Sequence, residues 1–222
     1  MNVSTTKQAA IKELAYLFEQ YEIPTDKPIY YNSSLYSDIL DIGNNCEVDV
    51  ASGLSKICFI NLIEGYVVKI PLAGEHRYAS RLNRDTNYVD ERYHYNYCKL
   101  EAETYLNLAN SNFSNLFLKT EYAGMLGALE IYIQPCATPL TSVNKEISEQ
   151  FYEKADSDDY TNYNCFCDDI DVVASFIEYY GEKLTQEIGS FLDYNEIKDI
   201  HMGNIGLYNN ELVIYDYSGF NR

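Results

Sequence analysis

The sequence predicts an α+β fold, with short strands and helices in separate stretches of the chain. Residues 47–71 and 116–133 contain runs of β-branched and aromatic residues that alternate with polar ones, as half-buried strands do. Glycine- or asparagine-containing turns separate these runs. Residues 97–110, 142–155 and 170–188 have helical composition instead.

The first element is a predicted helix, opened by the capping box Thr5-Thr6-Lys7-Gln8 and ended by Pro24. It has an apolar stripe formed by Ile11, Leu14, Ala15, Phe18 and Tyr21. Because an amphipathic helix usually covers a core, we expect it to pack on the following strands. A partner-binding role is the alternative.

Three strands are predicted next, at residues 47–50, 57–63 and 66–71. Residues 51–56, Ala-Ser-Gly-Leu-Ser-Lys, join the first two strands. The backbone N–H groups of Ser52, Gly53 and Ser55 can form an anion-binding nest there. An ordinary hairpin turn is the alternative interpretation.

Lys69 lies within the third predicted strand, between β-branched neighbours. A lysine in this setting is unusual, because burying its charge without an anion is costly. Lys69 is therefore a candidate for binding an anion. A lysine on an edge strand that extends its ammonium group into solvent is the alternative.

The helix predicted at 97–110 offers a carboxylate partner for this lysine. Glu101 shares one helical face with Tyr97, Tyr105 and Leu108, so its carboxylate needs a cation. Glu103 shares the face of Lys99 and is expected to be solvated, which makes it the second choice of partner.

Two strands are predicted at residues 116–122 and 129–133, with Gly124 and Gly127 in the turn between them. A polar insertion, 74–95, precedes the 97–110 helix and is a candidate lid, substrate contact or solvated loop.

Side chains that can ligate a metal ion cluster near the C-terminus. Asn209-Asn210 separates two short apolar runs, which predicts a hairpin. A hairpin brings Asn204, just before it, close to Asp216, just after it. Asp199 supplies a further carboxylate. Oxygen ligands of this kind suit Mg²⁺, which takes few protein ligands and leaves room for phosphate oxygens.

At these residues the chain resembles the protein-kinase-like superfamily. The Asp-x-His-x-x-Asn pattern that begins at Asp199 is most similar to that of aminoglycoside and choline phosphotransferases. The resemblance implies that Asp199 orients or deprotonates the attacking hydroxyl and that Asn204 and Asp216 bind the metal. Tyr217 occupies the phenylalanine position of the Asp-Phe-Gly motif, and Ser218 intervenes before the glycine.

The resemblance also implies the roles of the upstream residues. Lys69 would hold the α- and β-phosphates of ATP, with Glu101 as its ion-pair partner. Lys69 and Glu101 would both be catalytic residues. The loop with Ser52, Gly53 and Ser55 would cradle the phosphates, although one glycine replaces the usual two or three. Gln134 falls at the expected hinge and would contact the nucleotide. ATP and Mg²⁺ are the implied cofactors.

The implied architecture is a bilobal kinase-like fold with an antiparallel-sheet N-lobe and a reduced helical C-lobe. We expect a single domain over 1–222, with an N-terminal helical extension at 1–40, the N-lobe at 41–135 and the C-lobe at 136–222. The chain ends six residues after Asp216, which resembles minimal kinases of bacterial effectors and phages.

The function implied is phosphoryl transfer from ATP, first to a serine or threonine of a folded partner protein. His201, two residues after Asp199, favours a small-molecule acceptor instead. A non-catalytic acidic pseudokinase that inhibits a partner is the third possibility.

The amino-acid composition limits the classes of partner that the chain can bind. A net charge of −18 argues against direct nucleic-acid binding, and the acidic surface is either a solvated face or a site for a basic partner. We expect no membrane span and no signal segment, and hence a location in the cytoplasm of the producing cell, or of a host cell if the chain is an effector.

Six cysteines do not suggest a disulfide framework in a chain of this length. Cys46, Cys58, Cys98 and Cys136 are expected to be buried free thiols. Cys165-Phe166-Cys167 resembles half a metal site, but no second pair stands at ligand spacing, so zinc is not expected.

Overall fold

In the computed structural model, the chain divides into two compact units. The first comprises Met1–Glu103 and Thr120–Cys136, and the second comprises Thr104–Lys119 and Ala137–Arg222. The structure describes residues 3–45, 48–73, 96–140, 144–149, 169–195, 197 and 200–217. The predicted insertion at 74–95, Cys165-Phe166-Cys167, most of the helix predicted at 142–155 and Asp199 lie outside the described residues.

The first unit is built on a five-stranded antiparallel sheet with the order β1-β2-β3-β5-β4. Its strands are β1 Asp49–Ser52, β2 Lys56–Ile63, β3 Tyr66–Pro71, β4 Glu121–Leu126 and β5 Leu129–Pro135. The prediction of a mixed α and β fold with an antiparallel sheet is therefore confirmed.

One face of this sheet carries the apolar core. Ile57, Phe59, Val68 and Ile70 alternate along β2 and β3 and are fully buried, as the period of two requires. They pack in one cluster with residues of two helices, α1 Val3–Gln20 and α2 Ser34–Asn45. Leu14 and Phe18 of α1, and Ile39 and Ile42 of α2, are its largest fully buried helical side chains.

The expected packing of the first helix on the strands is thus confirmed. Its predicted start is wrong, because α1 begins at Val3 and Thr5 therefore lies inside the first turn instead of at the N-cap. The helix α2 was not predicted, although the sequence contains a signal for it. Ser33 Oγ accepts the Tyr36 N–H at 3.1 Å and so caps the helix.

The third helix of the first half of the chain, α3, spans Tyr97–Leu108. Asn96 forms its N-cap, with its side-chain oxygen 2.9 Å from the Lys99 amide. The next segment was predicted as a strand at 116–122 but forms a short 3₁₀ helix at Ser114–Leu116. The strand β4 starts only at Glu121, and Gly124 lies at a bulge within it, with Gly127 (φ 59°) in the turn.

The second unit contains α4 Ile170–Tyr180 and α5 Glu182–Tyr194, together with a small sheet of order β6-β7-β8. Its strands are β6 Thr138–Pro139, β7 Ile205–Tyr208 and β8 Glu211–Ile214. The single helix predicted at 170–188 is wrong. Gly181 adopts a φ of 76° between the two helices, a conformation that interrupts a right-handed helix.

The core of the second unit lies between these helices and strands. It includes Val173, Phe176, Leu192, Ile205 and Ile214, each 0% exposed. No helix within the described ranges combines the length and apolar character that crossing a bilayer would need.

Candidate functional site

Lys69 lies on the central strand of the five-stranded sheet. Its neighbours in the ladder are Cys58 on β2 and Tyr132 on β5, so its side chain lies on the sheet face opposite the apolar core. Only 3% of the residue is exposed. The interpretation of Lys69 as a solvated edge-strand lysine is therefore wrong.

Glu101 on α3 is the partner of this lysine, and the expected pair is present. Lys69 Nζ lies 2.7 Å from Glu101 Oε2, and Glu101 is 0% exposed. Thr120 Oγ1 donates to the same oxygen at 2.9 Å. Glu103, by contrast, is exposed and lies 3.9 Å from the exposed Lys99. The glutamate predicted from its helical face is thus the one that the fold buries.

Lys56 is a second cation on Glu101, and it was not among the predicted site residues. Its ammonium group bonds Glu101 Oε1, and 5% of the residue is exposed. The sequence placed Lys56 in a loop, but β2 begins at Lys56. Because side chains two apart on a strand share a face, Lys56 lies on the face of Cys58 and hence of Lys69. This relation depends on the register of β2 and β3, which no local pattern in the sequence gives.

Gln134 extends the same buried network. Its side-chain nitrogen donates to Thr120 Oγ1 at 2.9 Å, and the Thr120 hydroxyl donates in turn to Glu101. Gln134 and Thr120 are each 2% exposed. The amide of Gln134 therefore supports the ion-pair network, and its contact with a nucleotide stays a prediction.

The segment predicted to form a phosphate-binding nest folds as a hairpin turn. The Gly53 amide donates to the Lys56 carbonyl at 3.1 Å, so it is used within the turn. Ser52 belongs to β1, and its hydroxyl lies 2.8 Å from the Tyr36 hydroxyl. The Ser55 carbonyl accepts the Leu72 amide at 2.8 Å. This geometry favours the ordinary hairpin turn over a nest of Ser52, Gly53 and Ser55.

Polar contacts at the start of α3 fix Glu101 in place. The Asn96 side chain, which caps the helix, also donates to Glu130 Oε2 at 2.9 Å and approaches the Tyr132 hydroxyl at 3.1 Å. The Tyr132 hydroxyl donates to Glu130 at 2.6 Å. Burial and the Glu130 carboxylate raise the pKa of Tyr132, so the phenol stays protonated. The helix that carries Glu101 is therefore bonded to β5.

The cysteines near this network carry thiols and form no disulfide. Cys98 is 0% exposed, and burial followed by the nearby Glu101 charge raises its pKa. The thiolate form is the reactive one, so Cys98 is unreactive at neutral pH. Cys58 and Cys136 are in no disulfide but are only half-buried, so the predicted burial holds for Cys98 alone among these three. Burial also raises the pKa of Cys136.

In the second unit, the predicted hairpin is present at the predicted place. β7 and β8 pair in the register Ile205↔Ile214 and Tyr208↔Glu211. Asn209 and Asn210 have φ values of 54° and 66°, the two left-handed residues of a type I′ turn. The Tyr215 amide donates to the Asn204 carbonyl at 2.9 Å. Asp216 is therefore only one residue beyond the position opposite Asn204.

Backbone contacts order the segment just before this hairpin. His201 Nδ1 accepts the Gly203 amide at 3.1 Å, and the Tyr215 hydroxyl donates to the Gly203 carbonyl at 2.7 Å. Asp169 caps α4 and also accepts the Met202 amide at 3.3 Å. These bonds hold the short 3₁₀ turn Met202–Asn204 that carries Asn204.

Tyr217, in the predicted phenylalanine position, is a buried anchor. It is 1% exposed, donates its hydroxyl to the Leu118 carbonyl at 2.7 Å and packs edge-on against Phe117 with ring centroids 5.2 Å apart. It thereby fixes the backbone next to Asp216, which is half-buried. Asp199 lies outside the described residues, so its place beside Asn204 and Asp216 stays a prediction, as does the metal site.

No family model matches this chain, and no curated protein or solved structure matches it.

Proposed function

We propose that the chain is an ATP- and Mg²⁺-dependent phosphotransferase with a bilobal, protein-kinase-like fold. The first acceptor to consider is a serine or threonine hydroxyl on a folded partner protein. In this proposal the first unit supplies Lys69 and Glu101 for the phosphates. The second supplies Asn204 and Asp216 for Mg²⁺ and Asp199 for the acceptor hydroxyl.

The observation that carries the proposal is the buried ion pair of Lys69 and Glu101. Protein kinases hold the nucleotide phosphates with a lysine on the third strand and pair it with a glutamate on the helix that follows. Here Lys69 lies on β3 and Glu101 lies on α3, the next described helix, with 2.7 Å between their charged atoms. A lysine aligned by a buried carboxylate is suited to contact an anionic ligand in a fixed direction.

The second unit supports the metal-binding part of the proposal. The type I′ hairpin brings Asp216 next to the strand position opposite Asn204. An asparagine oxygen and a carboxylate are hard ligands that Mg²⁺ accepts. When bound, Mg²⁺ would neutralise the developing charge on the transferred phosphoryl group.

Phosphoryl transfer depends mainly on positioning and charge neutralisation. A base adds roughly 10²- to 10⁴-fold, which is the contribution proposed for Asp199. Replacing Asp199 by asparagine keeps its size and removes its charge. We therefore expect Asp199→Asn to lose transfer and to retain ATP binding.

The test is to incubate the purified chain and its Asp199→Asn variant with γ-labelled ATP, Mg²⁺ and a cell lysate. If only the wild type transfers label to a protein band, the result supports a protein kinase, and the mass of the band identifies the target. If only the wild type transfers label to the small-molecule fraction, the result supports a small-molecule kinase, the alternative that His201 favours. Equal transfer by both chains would refute the role of Asp199.

A pseudokinase that binds a partner through its acidic surface is the second candidate. The Gly53 amide bonds the Lys56 carbonyl, so the turn lacks one donor that a phosphate-binding loop would use. The net charge of −18 also suits a basic partner. This candidate predicts no label above the Asp199→Asn background and no rise in Tm with millimolar Mg·ATP.

A further inference from the structure

The second unit contains a cavity of about 380 Å³ whose lining includes none of the predicted site residues. It lies where the loop after α3, the corner between α4 and α5 and the start of β8 meet. Sites of roughly 300–1,000 Å³ hold small ligands in proteins. A cavity near the lower end of this range has room for one small molecule or one long side chain of another protein.

Two aromatic residues of the lining are held in place by their neighbours. Phe113 packs against Phe191, with ring centroids 5.0 Å apart. Tyr180 packs against Phe176, with ring centroids 5.9 Å apart, and donates its hydroxyl to the Leu212 carbonyl. These aromatic walls are therefore formed without a ligand.

Aliphatic side chains complete the apolar part of the lining. Leu184 and Ile188 are four residues apart on α5 and so share one helical face. Ile188 and Leu116 are buried, whereas 37% of Leu184 is exposed. The cavity thus retains apolar surface that solvent reaches and that the apolar part of a ligand would cover.

The polar residues of the lining are acidic or neutral. Glu187 and Glu211 carry carboxylates, Asn112 and Asn115 carry amides, and all four residues are exposed. Glu187 lies 3.9 Å from Lys183, whose side chain is 93% exposed, so this pair is weak. Among the described residues that line the cavity, none is basic. At neutral pH the lining therefore carries two negative charges and no positive one.

These features favour a cation attached to an apolar stem, and an arginine side chain has both parts. Its guanidinium group is planar, stacks on aromatic rings and has five donors, which carboxylate and amide oxygens accept. Its methylene stem packs on apolar surface. A lysine ammonium group is more strongly hydrated and has no plane to stack. The net charge of −18 also attracts a basic protein toward the chain.

We propose that this cavity is an anchor site for an arginine side chain of a basic partner protein. Arginine is among the residues that carry most of the binding energy where a side chain fills a pocket of its partner. The inference goes beyond the proposed function, because it needs neither a nucleotide nor a metal ion.

The test titrates the full, ¹⁵N-labelled chain with five-residue peptides that differ only at the central residue between two pairs of glycines. The central residue is arginine, lysine or citrulline, which replaces the guanidinium group by a neutral urea of nearly the same shape. The arginine peptide should shift the amide signals of Leu184, Glu187 and Glu211. The citrulline peptide should bind about tenfold more weakly or worse, and the lysine peptide about threefold more weakly.

Two double variants separate the cavity from general charge attraction. Glu187→Gln/Glu211→Gln removes both carboxylates of the lining. Glu178→Gln/Asp193→Asn is the matched control, because it removes two exposed carboxylates of α4 and α5 that do not line the cavity. Since all four side chains are exposed, both variants should fold as the wild type does, which circular dichroism checks. The first should bind the arginine peptide about fivefold more weakly or worse, and the control should stay within about twofold of the wild type.

The peptides on the unaltered chain give the first criterion. A citrulline peptide that binds within about twofold of the arginine peptide would overturn the proposal, as would equal losses in the two double variants. Signals that the arginine peptide leaves unmoved at several millimolar would do the same. A lysine peptide that binds as tightly as the arginine peptide would contradict the assignment to arginine.

Butylguanidinium, the side chain without a peptide backbone, identifies the source of the ligand. If it binds more weakly than the arginine peptide, the partner protein is supported. If it binds more tightly, the cavity serves a free organic cation and the assignment to a partner protein is wrong. None of these probes contains phosphate, so failure of the phosphotransferase proposal leaves this inference unaffected.

Discussion

The substitution Glu101→Gln tests the buried ionic network most sharply. Glu101 is 0% exposed and receives bonds from Lys56, Lys69 and Thr120. Glutamine keeps the size of the side chain and one acceptor oxygen, but it removes the negative charge between two buried lysines. Removing one partner of a buried ion pair costs about 3–5 kcal/mol.

We therefore expect Glu101→Gln to lower the free energy of unfolding by about 3–5 kcal/mol at pH 7, a large part of the roughly 5–15 kcal/mol of a typical domain. Urea unfolding followed by far-ultraviolet circular dichroism gives this value by linear extrapolation. Glu103→Gln is the control, because Glu103 lies two residues away on the same helix, is exposed and pairs with Lys99 only at 3.9 Å. Its expected cost is about 1 kcal/mol or less.

Salt provides a second criterion. The effect of Glu103→Gln on the free energy of unfolding should disappear at about 1 M salt, where the Debye length is about 3 Å. The effect of Glu101→Gln should persist, because buried ion pairs are screened far less. If Glu101→Gln and Glu103→Gln cost the same within about 1 kcal/mol, the account of a buried, charged network is wrong.

Two further predictions concern the second unit. Asn209→Ala should lower the free energy of unfolding by about 1 kcal/mol, because alanine is strained at positive φ. Asn210→Gly should leave the free energy of unfolding within about 0.5 kcal/mol of the wild-type value. Urea unfolding of both variants checks these values. Burial, with smaller contributions from Glu211 and Tyr179, raises the pKa of Tyr180 from 10.0 to about 12. The unfolded chain therefore loses the Tyr180 proton first, and stability falls as pH rises from about 10 to 12. Tyr180→Phe should be less stable than the wild type at pH 8, because it loses the bond to the Leu212 carbonyl, and the difference should narrow by pH 11; a constant difference would contradict this assignment.

Local patterns predicted the parts of the site that depend on neighbouring residues. The Asn209-Asn210 turn and the apolar runs beside it predict the hairpin, because a type I′ turn needs residues that tolerate positive φ. The choice of Glu101 over Glu103 needs only the helical period, since three and four residues along a helix return to one face.

Two features that depend on distant residues were not predicted. Lys56 joins the network because the β2–β3 register places it on the face of Lys69, and because α3 brings Glu101 to that face. Likewise, a strand was predicted over 116–122, but Leu116 and Phe117 pack into the apolar core of the second unit as a 3₁₀ turn and its cap. Tertiary packing overrides local propensity in such segments.

Two misses had other causes. The helix α2 had a recognisable signal in Ser33 and the spacing of Leu35, Ile39 and Ile42, so it could have been predicted from the sequence. The break at Gly181 was not, because an isolated glycine is compatible with a continuous helix and only its φ of 76° ends one.

Nucleotide binding by this chain is best tested by its thermal stability at increasing Mg·ATP concentration. A ligand present at 100 times its Kd stabilises the folded chain by about 2.7 kcal/mol, which is measurable by calorimetry. We predict that Mg·ATP raises the Tm of the wild type, that Lys69→Met abolishes the rise, and that Asp216→Asn removes its dependence on Mg²⁺. An unchanged Tm for the wild type at ATP concentrations well above a millimolar would contradict the proposal that this chain binds a nucleotide.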